Sequence, residues 1–416
     1  CATADCAQKY ALDPGFLCAE IRSVQYAPNG MPVTVRLLRD QGDARALQYE
    51  PHVSEAVEKS LAVFGDFAEL RFPDLTLLFM DPARVSTHDS YADTQMLANG
   101  ECLVRIYAWT VDALGKGDVL LHLKSSIAHE IFHCVQQKTW PAQFNASPTD
   151  PDWWIEGSAA AMGFVVFEHP EVFRVRVNQF WAARDTPITR QTYGNAVFFS
   201  WLWNRKPRSV IELIGKMPTQ PGELLQQNAL ANAVGADNLA QFARDLLDGK
   251  IRGPGDKATP AIVDPTEPAD VVTATDKRTY AAIPFTVFHQ DVTFRNGNYM
   301  FVVQGNRFAG YRRADKAGEE WRDGGFEVTE GICSDPKTYR FAGMSVSGGD
   351  VEEFSLGIEK LPGECAPCVA AEVRDACVMG QWRITNASIA DTTMANSGGS
   401  LSDISVRGVA GMWARP

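Results

Sequence analysis

The sequence predicts an α+β protein: a mixed β-sheet lobe and a helical lobe, followed by a small all-β domain. Three observations carry this. Short apolar runs of strand character alternate with helical patterns across residues 31–139. From residue 153 to about 250, Leu, Ile and Ala recur almost without a break at helical spacing. Beyond a stretch rich in Gly and Pro, the pattern turns to short strands. A chain of 416 residues, 45% hydrophobic and 22% charged, has the composition of an ordinary globular protein with two or three domains.

Residues 1–30 hold Cys1, Cys6 and Cys18 and read as an irregular, cysteine-pinned segment. Residues 32–39 alternate apolar and polar through Val33, Val35 and Leu37, as a strand does. Residues 52–70 place Val53, Val57, Leu61 and Phe64 on one helical face. Residues 75–80 form an unbroken apolar run, a buried strand, and residues 102–109 read as another. Asp118 is the N-cap expected for a long helix that ends near Lys138, ahead of Trp140-Pro141. Residues 31–250 thus form one predicted domain. Gly253, Pro254, Gly255, Pro260, Pro265 and Pro268 make residues 251–277 a linker. Residues 285–294 and 299–303, joined at Asn296-Gly297, read as a β-hairpin. Gly324-Gly325 and Gly348-Gly349 punctuate further strands, so residues 278–376 read as a small sandwich or barrel. Residues 377–416 read as the start of another β unit or a C-terminal extension, and are expected to belong to a longer protein.

The long helix carries His129-Glu130-Ile131-Phe132-His133. Residues four apart share a helical face, so both imidazoles can reach one metal ion, and Glu130 stands about 100° round the helix, within reach of a metal-bound water. Only 7 His occur in the chain, so a chance match has an expected frequency on the order of 0.01. The flanks, Ser125 to Ala128 and Cys134 to Gln136, are uncharged, as in a helix lying beneath a cleft. A zinc site needs at least a third protein ligand and, for catalysis, an open fourth position. Glu156 is the candidate, at the start of the next helix and followed by Gly157, Ser158 and three alanines, which are small enough for close helix approach. Asp150 and Asp152 in the intervening loop are alternatives, held less firmly by a loop.

His129-Glu130-x-x-His133 followed by Glu156-Gly157-Ser158-Ala159 resembles the gluzincin metallopeptidases of the thermolysin-like superfamily. Gln136 and Thr139 stand where metzincins need Gly and a third His. The resemblance covers roughly residues 30–215. It implies a gluzincin-like catalytic domain in which His129, His133 and Glu156 hold Zn2+ and Glu130 is the general base. It also implies that Tyr193, leading the segment Tyr193 to Leu202, faces the cleft and donates to the developing oxyanion. His122 and Arg190 stay open as alternatives for that donor. The strand before the metal helix, residues 103–107, would be the sheet edge that pairs with extended substrate.

The chemistry so implied is hydrolysis of a peptide bond by a metal-bound water with Glu130 as base, on a peptide or protein substrate. No segment like the GxMEN of gluzincin aminopeptidases precedes the helix, which favours an endopeptidase. A second reading is a catalytically inactive cell-surface binding protein with a ligand-binding β domain; retention of Glu130 speaks for catalysis. A third is a zinc hydrolase acting on other bonds.

A net charge of -12 with no basic run argues against nucleic acid. No window approaches the roughly 18 apolar residues that span a bilayer. Nine cysteines occur, and Cys1 at the first position resembles the mature start of a bacterial lipoprotein, whose N-terminal Cys carries the lipid anchor. Setting it aside leaves eight, an even number suited to disulfides in an oxidising compartment. The expectation is therefore an extracytoplasmic protein, secreted or lipid-anchored at a bacterial surface. Expected bridges are Cys6 to Cys18, Cys102 to Cys134, and pairs among Cys333, Cys365, Cys368 and Cys377.

Overall fold

The computed structural model describes residues 8–10, 12, 16–81, 91–107, 118–146, 152–253, 269–295, 297–305, 309–314, 319–323, 325–329, 336–346 and 351–362. The chain divides into two units, Cys1–Leu361 and Pro362–Pro416. Of the second only Pro362 is among the described residues, so the expectations for 377–416 lie outside them, as do Cys1, Cys6, Cys333, Cys365, Cys368, Cys377 and Asp150.

The N-terminal part is a mixed five-stranded sheet under a layer of helices, as the α+β expectation requires. Its strands are β1 (Cys18–Tyr26), β2 (Val33–Asp40), β3 (Leu75–Phe79), β4 (Ala92–Met96) and β5 (Cys102–Ile106), in the order β1-β2-β3-β5-β4. Strands β2, β3 and β5 run parallel, with β1 and β4 antiparallel on the two edges. Helix α1 (Ala46–Gly65) makes the crossover between β2 and β3 that a parallel pair demands. Strand β3 is apolar at almost every position because both its faces are covered. Leu75, Leu77 and Phe79 enter the main core, while Leu78 packs with Tyr10, Phe16, Leu38 and Leu103 on the other side.

Two expectations are corrected here. Residues 18–26 are a strand rather than an irregular segment; it lies at an edge with much of its surface exposed, so it carries little apolar patterning. Residues 103–107 do not form the sheet edge. Strand β5 lies inside, between β3 and β4, and the edge beside the helix that carries His129 and His133 is β4, whose polar sequence Ala-Asp-Thr-Gln-Met gives no hydrophobic signal.

Helix α2 (Val119–Thr139), which carries His129 and His133, begins where Asp118 caps it, its carboxylate accepting from Leu121 N at 3.1 Å. It buries Leu123, Ile127, Ile131, Phe132 and Val135 against the sheet and its neighbours. A disulfide joins Cys134 to Cys102, tying α2 to β5 as expected, and Cys18 is also disulfide-bonded. Then follow α3 (Pro141–Ala146), α4 (Trp153–Val166), α5 (Pro170–Ala182), α6 (Ala196–Arg205), α7 (Arg208–Gly215), α8 (Glu223–Val234) and α9 (Ala236–Leu247). Helix α4 is the most buried of them. Its small residues allow the expected close approach, divided between two neighbours. A Cβ on Gly163 would meet Ser125 O of α2 at 2.7 Å, and one on Gly157 would meet Asn195 Cβ at 2.6 Å.

The C-terminal strands form a sandwich. One sheet has the order β11-β10-β13-β8-β6 and the other β12-β9-β14-β7. Their ranges are β6 (Asp270–Val272), β7 (Asp276–Ala282), β8 (Phe288–Phe294), β9 (Tyr299–Gly305), β10 (Ala309–Arg313), β11 (Arg322–Asp323), β12 (Gly325–Thr329), β13 (Lys337–Gly343) and β14 (Glu352–Lys360). Both sheets feed one core, through Val292, Phe294, Tyr339 and Phe341 from the first and Tyr299, Phe301, Phe354 and Leu356 from the second. Residues 285–303 are therefore not a hairpin. Strand β8 pairs with β13 and β6, whereas β9 pairs with β14 and β12. Phe294 and Phe301 stack across the core with ring centroids 5.3 Å apart, and that contact places their strands in opposite sheets. The sandwich also starts inside the expected linker, at β6. It packs on the helices: Phe285, Val287, Ala342 and Met344 join the main core, and Asp248 accepts from Arg312 at 2.8 Å and from Trp321 Nε1 at 3.0 Å.

Candidate metal centre

Helical periodicity sets the first two side chains one turn apart on α2. The rings of His129 and His133 are perpendicular, with Nε2 atoms 2.9 Å apart. What orients His133 is Gln136. Its amide nitrogen donates to Ser158 Oγ at 2.8 Å and to Ile155 O at 3.2 Å, so its oxygen faces His133 Nδ1 at 2.8 Å and must accept from it. The Nδ1 proton is thereby fixed, and Nε2 is the atom left to bind a metal. Because Ser158 and Ile155 belong to α4, this network also locks the two helices in register.

Glu156 comes from the first turn of α4, where the helix N-terminus favours a carboxylate. Its Oε2 stands 3.2 Å from His129 Nε2 and 3.5 Å from His133 Nε2, and it is buried without a hydrogen-bond donor. Donors held about 2.0–2.2 Å from a common centre in a tetrahedron stand roughly 3.3–3.6 Å apart. The separations of 2.9, 3.2 and 3.5 Å come close to that figure. These three residues can therefore hold a metal ion, and the orphaned carboxylate oxygen is the observation that such an ion would explain. Asp152 is the N-cap residue of α4 and is not in this donor group.

Electrostatics make the cluster costly without a cation. Burial lowers the His133 pKa, but the Glu156 charge outweighs it and raises the group to about 9. Two bare nitrogen lone pairs would repel at 2.9 Å, so a proton sits between the imidazoles, on His133. Burial, then the charge of His133, pushes His129 down. Burial works against the Glu156 carboxylate, yet the charge of His133 holds it well below the usual range. Glu130 is buried beside them, its Oε1 3.9 Å from His129 Nε2, and burial raises it to about 8. Asp93 of β4, held by Arg105 at 2.7 Å and by the Tyr107 hydroxyl at 3.0 Å, adds to that push on Glu130.

Tyr193 opens the single turn of 3-10 helix, Tyr193–Asn195, that leads into α6. Asn195 Nδ2 donates to Ile188 O at 2.8 Å and anchors the turn. The phenol ring stacks on His129 at 5.9 Å while 40% of the residue stays exposed, so it stands between the candidate metal residues and solvent. Partial burial, then the Glu156 carboxylate, raises its pKa and keeps the hydroxyl a donor. The alternative donors stand elsewhere. Arg190 is engaged with Glu223 at the surface, at 2.8 and 2.7 Å. His122 lies two turns before His129 and stacks on Tyr91 at 4.1 Å, and burial lowers its pKa to about 4. Arg176 of α5 went unseen in the sequence: its guanidinium lies 4.7 Å from the Tyr193 ring centroid. Gln136, Asp93 and Tyr107 also escaped notice, since a single glutamine or acidic residue carries no spacing signal.

The chain matches no family model and no curated protein. Among solved structures it is similar to Legionella pneumophila aminopeptidase A in complex with aspartic acid, with 11% identity and a TM-score of 0.37. That likeness covers 81% of this chain and 36% of the other, so the chain spans about a third of that protein's length.

Proposed function

We propose that the protein is a zinc-dependent peptide hydrolase of gluzincin type, with His129, His133 and Glu156 as ligands and Glu130 as general base. The observation that carries this reading is the convergence of three donor atoms, one of them the orphaned Glu156 oxygen, with the buried Glu130 carboxyl beside them. Zinc, when bound, supplies a Lewis acid that lowers the pKa of water to about 7. Glu130 accepts the proton of the attacking water and delivers it to the leaving amine; burial, by raising its proton affinity, suits it to both transfers. Gln136 keeps the His133 ring aimed, and Tyr193 offers its hydroxyl to the oxyanion. The Cys102–Cys134 disulfide supports an extracytoplasmic setting, and among the described residues no helix is long and apolar enough to cross a membrane.

The test is Glu130→Gln. Zinc should remain bound, while chelator-sensitive cleavage of a casein or mixed-peptide substrate falls by about 10²–10⁴-fold. Undiminished cleavage by that variant would remove Glu130 from the mechanism. Zinc binding with no hydrolysis by the wild type would favour the binding-protein reading.

A further inference from the structure

Among the described residues Arg176 is the cation stacked on Tyr193, and no carboxylate forms an ion pair with it, although the Glu156 charge acts on it. Its guanidinium lies over the Tyr193 ring at 4.7 Å, and the same ring stacks on His129 at 5.9 Å. One nitrogen donates to Gln179 Oε1 at 2.9 Å. Its Nε is buried and has no hydrogen-bond partner. Burial outweighs the Glu156 charge and lowers the Arg176 pKa, so a ligand that brings a counter-charge to the guanidinium would relieve it. The formal charges agree. A divalent ion with Glu156, Glu130 and Arg176 leaves the cleft with an excess of one positive charge, which favours an anionic substrate group.

We propose that Arg176 forms a carboxylate-binding subsite beside the proposed metal centre, its guanidinium receiving a carboxylate of the peptide substrate. This rests on the peptide-hydrolase reading and names its substrate class. Two sources share that chemistry: the C-terminal carboxylate of a peptide, and an Asp or Glu side chain. A planar guanidinium suits either, because it accepts a carboxylate with two parallel hydrogen bonds.

Binding separates this proposal from the catalytic one. In the zinc-loaded Glu130→Gln protein, three fluorescent peptides of one backbone are titrated: one with a free C-terminus, its C-terminal amide, and an amide carrying Glu near its end. The free acid or the Glu-containing amide should bind at least about 10-fold more tightly than the plain amide. Arg176→Gln should abolish that preference, and Arg176→Lys should restore part of it. Whichever peptide shows the Arg176-dependent preference identifies the source. Equal binding of all three peptides, or a preference that survives Arg176→Gln, overturns the proposal. A purely structural Arg176 would weaken binding of all three peptides alike when replaced, whereas the subsite predicts loss only of the preference for the carboxylate-bearing peptides. If the wild type hydrolyses nothing, these binding results still decide the subsite.

Discussion

The proton between His129 and His133 occupies the place that a metal ion would take, and this gives the site a pH signature. His133 rises from an ordinary value of 6.5 to about 9, and Glu130 from 4.5 to about 8. A group whose pKa is raised by folding contributes stability below its ordinary value and loses it as pH climbs through the raised one. The metal-free protein should therefore lose the Glu130 contribution between about pH 4.5 and 8 and the His133 contribution between about pH 6.5 and 9. Glu156 acts oppositely, its contribution vanishing as pH falls below the ordinary carboxylate range. Zinc affinity should rise across the same alkaline window, because binding expels the His133 proton. Calorimetry of zinc binding in two buffers of different ionisation enthalpy would register the release, and binding with no proton release at pH 7 would contradict this picture. At this scale the sequence was informative where chemistry follows a short spacing. His129, Glu130 and His133 need only helical periodicity to meet. Gln136 and Arg176 are different: what makes each matter is a partner on another element, Ser158 for one and the Tyr193 ring for the other.

The pair formed by α2 and α4 decides whether the donor set exists at all, because two donors ride on one helix and the third on the other. Their spacing depends on Gly163, where an added methyl would collide with Ser125 O at 2.7 Å. Gly163→Ala should push the helices apart, cost about 1–3 kcal/mol and weaken zinc binding together with stability. Denaturant unfolding with parallel zinc titration checks this, and an unchanged zinc affinity would show that the site tolerates the displacement. The long elements were legible for a physical reason. Helix α2 carries its own N-cap at Asp118 and its own periodicity, so its start and end follow from local chemistry. Strand pairing does not. Residues 285–303 carry a turn signal between two apolar runs, yet the runs part into different sheets because Phe294 and Phe301 stack across the sandwich core. Strand β4, the sheet edge, is polar and short, so nothing local marked it.

Across the whole molecule, the sheet, the helices and part of the sandwich share one continuous core. Composition marked a boundary at 251–277, but Phe285 and Met344 of the sandwich are buried with the helices, and Asp248 is clamped by Arg312 and Trp321. Linker composition reports the chain path and says nothing of what packs on either side. In the candidate site, the disulfide from Cys134 fixes α2 to β5 one residue from His133. All of that architecture serves the proposed zinc centre, and zinc content tests it most directly. Elemental analysis of the protein purified without chelator should find one zinc per chain in the wild type and in Glu130→Gln, and close to none in Glu156→Ala. Zinc retained in full by Glu156→Ala, or no zinc taken up by the wild type when it is supplied, would contradict the account.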